Sequence, residues 1–264
     1  GSLMGKFFFF FFAHLSDEAY DEDRDTVIEQ ALEDLDFIVD VATNPSTWSR
    51  SKQISEKYDK VYSTLGLHPH DADTLGSEEL SRALDENCSP RIVALGEIGL
   101  DYHYDYSPRK KQCQAFELQL DFAIEKKLPV IIHIREAWKD ALKILRARDL
   151  RDSAVVHCFT GSKSNAEALL DLGIFISFTG IIAFPRSRDL RSILRELPEE
   201  RIFFETDSPY LAPPPYRGKR NHPLYVKEVV KTASQEKGRD VEAFARETSE
   251  RAKKFFRIEG GSAC

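Results

Sequence analysis

Six histidines and carboxylates of this chain follow or end short apolar runs. They are His14, His68, Glu97, His133, His157 and Asp207. Imidazole and carboxylate groups without a cysteine among them suit Zn²⁺ or Mn²⁺ and, less well, Mg²⁺. All of them except His68 together offer enough ligands for two divalent ions if Glu97 bridges, and a two-metal site stabilises both the attacking and the leaving oxygen of a phosphoryl displacement.

Each of these side chains also has a structural interpretation. A single histidine after a strand is often a satisfied core or loop residue, and Asp207 could cap the turn that begins at Pro209. His133 and His157 both follow wholly apolar runs, and Glu97 lies between Gly96 and Gly99, where an unpaired buried carboxylate would be costly. We therefore expect metal ligation there, and for His68 either a structural hydrogen bond or a contact with substrate.

A second group of polar residues follows Asp207. Arg217, Lys219 and Arg220 follow three prolines and Tyr216, in a chain whose net charge is −7. That charge argues against coating nucleic acid over a broad surface, so a local patch would have to bind phosphate. These cations predict a phosphate clamp, the alternative being a solvated loop. Aromatic residues of the neighbouring loops could stack on bases: Tyr102, Tyr104, Phe159, Tyr210 and Tyr216.

The elements that would position these residues alternate along the chain. Eight short β-branched or aromatic runs predict strands at 7–12, 37–42, 61–67, 92–95, 129–132, 154–156, 174–178 and 202–205. Amphipathic stretches predict helices at 23–33, 47–57, 78–86, 109–126, 136–146, 163–172, 188–197, 222–236 and 241–256. Eight such units in 264 residues predict a (β/α)8 TIM barrel, whose C-terminal rim would gather the polar residues. The alternative is an open doubly wound sheet, which usually carries a glycine-rich phosphate loop that this sequence lacks.

The remaining features of the sequence bound its organisation and location. We expect one barrel domain over residues 4–258, with residues 1–3 resembling a cloning remnant and residues 259–264 forming a flexible tail. Four cysteines without a CxxC pair argue against a disulfide framework and favour a cytoplasmic location. No secretion signal or membrane span is expected, and the absence of a long apolar seam favours a monomer.

Six ordered motifs resemble those of the TatD family of metal-dependent deoxyribonucleases. They are Gly66-Leu67-His68-Pro69-His70, Gly96-Glu97-Ile98-Gly99-Leu100-Asp101, Val130-Ile131-Ile132-His133, His157-Cys158-Phe159, Glu205-Thr206-Asp207-Ser208-Pro209 and Tyr216-Arg217-Gly218-Lys219-Arg220-Asn221. The resemblance implies a barrel that hydrolyses phosphodiester bonds of DNA with two divalent ions (Mg²⁺, Mn²⁺ or Zn²⁺). It implies one ion on His14, Glu97 and Asp207 and another on Glu97, His133 and His157. Asp207 is then the expected general base, and Glu97 the second catalytic group.

The start of the chain departs from the family pattern. Members typically begin with Asp-x-His-x-His; His14 matches its second histidine, but the aspartate falls on Phe10 and the first histidine on Phe12. Phenylalanine binds no cation, so the first ion would have three protein ligands at most. A weakened first site, an engineered strand and a misassigned residue are the three explanations. Two other functions therefore stay open: a barrel amidohydrolase acting on small molecules, and a catalytically weakened DNA-binding homologue.

Overall fold

The barrel is visible in the order of the strands. The computed structural model describes residues 12–258, with strands β1 Phe12–Ala13, β2 Ile38–Asp40, β3 Val61–Leu65, β4 Ile92–Asp101, β5 Val130–Arg135, β6 Ala154–Val156, β7 Phe175–Phe178 and β8 Ile202–Phe204. Neighbours pair in parallel from β1 through β8. Ala13 bridges to Ser208 just beyond β8, and the His14 amide donates to the Ser208 carbonyl at 2.9 Å. The predicted (β/α)8 barrel is confirmed, and the open doubly wound sheet is wrong.

Helices follow the strands on the outside of this sheet. Within residues 12–258 they are α1 Arg24–Asp34, α2 Pro45–Lys57, α3 Ser77–Asn87, α4 Arg109–Lys126, α5 Trp138–Arg146, α6 Lys163–Asp171, α7 Arg188–Glu196, α8 Val226–Lys237 and α9 Val241–Phe256. Side-chain caps set where several begin: Asn44 accepts from the Thr47 amide, and Ser162 from the Asn165 amide. None of these helices combines the length and the apolar character needed to cross a lipid bilayer.

The alternation of side chains along each strand divides the apolar interior in two. Residues such as Val93, Val155 and Phe203 point into the barrel lumen, whereas their neighbours along the strands pack under the helices. Phe255 and Phe256 of α9 join the lumen cluster. Because Phe37, which precedes β2, belongs to the same cluster, α9 covers the end of the barrel where the strands begin. The opposite end, where the strands finish, is left for polar groups.

Two strands continue further than the sequence pattern indicates. Glu97 and His133 were expected at strand ends, but β4 runs on to Asp101 and β5 to Arg135. The extension depends on Gly99, which pairs with His133 at a φ of +149°; a Cβ on Gly99 would lie 1.8 Å from the His133 carbonyl oxygen. A glycine is therefore required for β4 to approach β5 this closely.

Some predictions fall at the ends of the chain or on its cysteines. Residues 1–11 and 259–264, which include the expected cloning remnant, the tail, Phe10 and most of the first predicted strand, lie outside the described residues. Cys113 and Cys158 are free thiols.

Candidate metal centre

The carboxylate of Glu97 is the meeting point of the histidines predicted from the sequence. Its side chain is buried, and its Oε1 lies 2.8 Å from His133 Nδ1 and 2.7 Å from His157 Nε2. Its Oε2 lies 3.5 Å from His14 Nε2. Strand β4 supplies Glu97, β5 supplies His133, and the residues directly after β6 and β1 supply the other two imidazoles. The barrel thus brings four sequence-distant residues to one point on its axis.

The outward nitrogen of each of these three histidines donates to a fixed acceptor. His133 Nε2 donates to Asp101 Oδ2 at 2.9 Å, and His157 Nδ1 donates to Glu205 Oε1 at 3.1 Å. His14 Nδ1 donates to the Val41 carbonyl at 2.8 Å. In the neutral form that binds metals, an imidazole that donates from one nitrogen has a lone pair on the other, and these three rings would direct that lone pair toward Glu97. This arrangement of carboxylate or carbonyl behind imidazole is the one that metal-binding histidines adopt.

His68 is oriented the opposite way. Its Nδ1 accepts from the His70 amide at 3.1 Å, which leaves the proton on Nε2, 3.3 Å from Glu97 Oε1. Burial lowers the pKa of His68 to about 4, because it outweighs the opposing charge of Glu97, so the ring is neutral. A neutral ring with this tautomer donates a hydrogen bond at the centre and has no free lone pair there. His68 is thus better suited to contact an anion than to bind a cation.

Asp207 closes the centre on the side of β1 and β8. Its Oδ1 lies 2.9 Å from His14 Nε2, and its side chain is partly open to solvent. Burial alone would lower the pKa of His14, but the hydrogen bond that His14 Nε2 donates to Asp207 and the charges of Asp207 and Glu97 outweigh burial and raise that pKa to about 10. The two carboxylates therefore create a local potential that attracts positive charge.

The donor set fits divalent cations. Three overlapping clusters have ligand atoms within 4.8 Å of one another: His14, Glu97 and Asp207; His68, Glu97 and His133; and His157, Glu205 and Asp207. The first is one of the two sets that the family resemblance implies. In the other set that it implies, Glu97, His133 and His157, the nearest histidine nitrogens lie 3.2 Å apart. Nitrogen and carboxylate oxygen donors in this number suit Zn²⁺ or Mn²⁺.

Phe12 lies in the lumen, two residues before His14 on the same face of the chain. It is buried, and its ring packs edge-on against Phe256 at 5.5 Å between centroids. The position expected for a further histidine is thus part of the apolar packing beneath the centre, and it offers no ligand.

The cations of the loop after β8 differ in their surroundings. Arg220 Nη2 lies 2.6 Å from Asp23 Oδ2, and its other terminal nitrogen donates to Asp23 Oδ1 at 2.8 Å. Arg217 stacks on Phe184 with 3.9 Å between guanidinium and ring centroid. Lys219 is exposed and has no ion-pair partner among the described residues. Of the three predicted phosphate contacts, Arg220 is therefore already paired with a carboxylate of its own chain.

Sequence reasoning gave no role to the carboxylates behind the histidines. Asp101 and Glu205 both lie inside the quoted motifs and both are buried. Asp40, which ends β2, accepts from the Leu15 amide at 2.7 Å and so fixes the turn that carries His14. A carboxylate at the end of an apolar run, as at Asp40 and Glu205, is a signal that could have identified two of them.

Comparison with known proteins gives consistent matches over nearly the whole chain. A family model described as TatD related DNase matches residues 12–257. The Bacillus subtilis protein named uncharacterized metal-dependent hydrolase YabD is 39% identical over 248 residues, which are 93% of this chain and 97% of that protein. The Salmonella typhimurium 3'-5' ssDNA/RNA exonuclease TatD is 32% identical over 93% of this chain and 97% of its own. The crystal structure of YjjV, a TatD homolog from Escherichia coli K12, has a TM-score of 0.87 at 27% identity and covers 96% of this chain and 98% of that one.

Proposed function

We propose, from the premise that this chain belongs to the family of TatD-related DNases, that it uses two divalent ions to hydrolyse phosphodiester bonds of DNA. The family and its relatives make the chain a metal-dependent hydrolase. The DNA substrate and the number of ions are our extension. They are supported by the relative named for acting on ssDNA and RNA, and by the ligand geometry described above.

The observation that carries the proposal is the position of Glu97 between two sets of donors. One of its oxygens faces His133 and His157, and the other faces His14, which in turn contacts Asp207. A carboxylate shared in this way can hold one ion on His14, Glu97 and Asp207 and a second on Glu97, His133 and His157. We infer Mn²⁺, Zn²⁺ or Mg²⁺, with Mg²⁺ the poorest match to imidazole.

The residues then divide the work of hydrolysis. When bound, such ions lower the pKa of a coordinated water and stabilise charge on phosphate oxygens. Asp207, the carboxylate most open to solvent, is placed to accept the proton of the attacking water through its Oδ2. His68 presents its Nε2–H to the same space and can donate it to a phosphate oxygen as negative charge builds there.

The cations of the loop after β8 indicate how a nucleic-acid substrate would be held. Arg217 and Lys219 are available to contact phosphates beside the centre, whereas Arg220 must first leave Asp23. A long anionic substrate would therefore be held locally, in keeping with the net charge of −7. From the cysteine pattern and the apolar pattern of the sequence, we infer that the protein is a cytoplasmic monomer.

Phe12 gives a specific reason to consider a weakened enzyme. The first ion would have only His14, Glu97 and Asp207 as protein ligands, so it should bind less tightly than the second. A protein that binds DNA but hydrolyses it slowly is the second candidate function, and hydrolysis that rises with added metal far above the concentration that fills the second site would favour it.

The test combines metal analysis with hydrolysis of a labelled oligonucleotide. Removing metal should abolish hydrolysis, and Mn²⁺ should restore it. Glu97→Gln and His133→Ala should lower both the bound metal and the turnover, while Glu79→Gln, an exposed glutamate of α3, should change neither. Thermal unfolding checks that each variant is folded. Near wild-type turnover of Glu97→Gln at matched metal concentration would overturn the shared-carboxylate assignment.

A further inference from the structure

Two tyrosines stand exposed next to the metal centre. Tyr104 and Tyr106 are 46% and 65% exposed, and their rings stack on each other with centroids 5.3 Å apart and planes inclined by 24°. Among the described residues, Ile124 and Tyr210 are the only further large apolar or aromatic side chains that are comparably exposed. Burying an aromatic ring is favourable, so a stacked and open pair of rings leaves a binding face unused.

The loop that carries the tyrosines is held firmly in place. Asp101 Oδ1 accepts from the backbone amides of His103 and Tyr104 at 3.1 and 2.9 Å. Gln112 donates to the Ser107 carbonyl at 2.8 Å, and Ser107 Oγ donates to the His70 carbonyl at 2.9 Å. The rings are therefore presented in a fixed position, and a ligand that contacts them need not first order the loop.

The same carboxylate ties this loop to the metal centre. Asp101 Oδ2 accepts from His133 Nε2 and from His70 Nε2, at 2.9 and 3.0 Å. The ring of His70 in turn packs edge-on against both tyrosines, with centroids 5.3 Å from Tyr104 and 4.9 Å from Tyr106. One imidazole thus separates the tyrosine pair from His133.

A cation lies beside the tyrosine pair. Arg135 is exposed, and its guanidinium is 4.9 Å from the centroid of Tyr104. It ends β5 only two residues after His133, and it has no ion-pair partner within residues 12–258. A positive charge next to exposed π-faces matches a nucleotide, which combines a flat base with an anionic phosphate.

Three other aromatic residues near the rim are already engaged within the protein. Tyr102 is half-buried and donates its hydroxyl hydrogen to Asp140 at 2.6 Å, and Phe159 is buried. Tyr216 stacks on Tyr225 with centroids 3.8 Å apart. The open pair is therefore not a general property of aromatic residues in these loops.

We propose that Tyr104 and Tyr106 form a platform on which a nucleobase of the substrate stacks, and that Arg135 contacts the phosphate next to that base. The inference deepens the proposed function and rests on it, because it assigns a base-binding subsite to the phosphodiester site. The platform takes a base that is free of its complementary strand, since a paired and stacked base does not offer its face. It positions the neighbouring phosphodiester for the centre around Glu97.

The platform predicts a dependence on bases that phosphate contacts alone would not produce. Stacking on an aromatic side chain strengthens binding by about 5- to 150-fold per base. Wild-type protein should bind a labelled oligothymidylate of about 10 nucleotides more tightly, by a factor in that range, than the same sugar-phosphate backbone without bases. Fluorescence anisotropy of the Mn²⁺-loaded protein, with phosphorothioate linkages in both ligands to slow hydrolysis, measures both affinities.

Variants of the two tyrosines test whether their aromatic rings cause the preference for bases. Changing both tyrosines (Tyr104→Ala and Tyr106→Ala) should remove the preference for the oligonucleotide with bases and leave affinity for the abasic backbone unaltered. The pair Tyr104→Phe and Tyr106→Phe should retain the preference, because it keeps the rings. Ile124→Ala, which removes an exposed apolar side chain near the C-terminal end of α4, is the matched control and should behave as wild type. Arg135→Ala should weaken binding of both ligands and reduce its salt dependence.

The outcomes distinguish this proposal from the one it rests on. An alanine pair that still prefers bases, or a wild type that binds neither ligand or does not discriminate between them, overturns the platform. Hydrolysis is measured separately with Mn²⁺. If the protein prefers bases through the tyrosines but shows no hydrolysis, the proposed function is contradicted and the platform is supported. If it hydrolyses DNA without that preference, the platform is contradicted and the proposed function is supported.

Discussion

Replacing Asp101 by asparagine tests whether the carboxylate behind His133 sets the metal affinity of the centre. The Asp101 side chain receives four N–H groups: the imidazoles of His133 and His70 on Oδ2, and the amides of His103 and Tyr104 on Oδ1. An asparagine of the same shape has one oxygen for one of these pairs. Its NH2 group must then face the other pair, donor against donor.

The expected cost follows from which pair loses its acceptor. If the imidazoles lose it, His133 no longer has a fixed tautomer, and metal affinity should fall about 10- to 100-fold. If the backbone amides lose it, two partly buried donors lose their acceptor, at up to about 1 kcal/mol of stability each. Asp101 is 1% exposed, so solvent water has little access to replace the lost bond. Metal affinity, stability or both must therefore fall.

Calorimetric titration with Mn²⁺ and thermal unfolding of the metal-free protein measure the two costs. Asp105→Asn is the matched control: it lies in the same loop, its exposed carboxylate pairs with Arg109, and asparagine tolerates its φ of 55°. This control should leave both stability and Mn²⁺ binding close to those of the wild type, because exposed ion pairs contribute little. Wild-type Mn²⁺ affinity together with wild-type stability in Asp101→Asn would refute the role we give to this carboxylate.

Two further variants test the lumen and the basic loop. Phe12→Ala should destabilise the protein by about 3–5 kcal/mol in chemical denaturation, because it empties a buried position against Phe256. Phe12→His should instead raise the metal content found by elemental analysis. An unchanged metal content would mean that a side chain at position 12 does not reach the centre. Arg220→Ala should cost about 0.2–1 kcal/mol through its pair with Asp23, and it should lower the salt dependence of DNA binding less than Lys219→Ala does. Equal salt slopes for these two variants would contradict that distinction.

Most element positions could be predicted from the sequence because local signals set them. Helix α4 spans Arg109–Lys126 as its amphipathic pattern indicates, and α9 likewise spans Val241–Phe256. The end of β4 could not be predicted in this way. Its extension past Leu95 depends on the close approach of Gly99 to the His133 backbone, which is a contact between strands more than 30 positions apart.

The candidate site divides along the same line. Residue type and position after an apolar run are local, and they were enough to select Glu97, His133 and His157, which the fold brings within hydrogen-bonding distance. The orientation of each ring depends on a distant partner, and no local pattern specifies it. The sequence shows Arg220 in a run of cations, but the carboxylate that pairs with Arg220, that of Asp23, lies 197 positions away in the chain.

Charge explains why the proposed hydrolysis would need divalent ions and a few well-placed cations. Four carboxylates surround the histidines, in a chain whose net charge is already −7. These carboxylates belong to Glu97, Asp101, Glu205 and Asp207. A phosphodiester brought to this centre meets negative charge at short range, and the neutral ring of His68 offsets little of it. Divalent ions held by those carboxylates would reverse the local potential, and Arg135, two residues after His133, would extend it outward. The acidic composition, which argues against broad contact with nucleic acid, is thus compatible with a nuclease whose attraction for phosphate is confined to one end of the barrel.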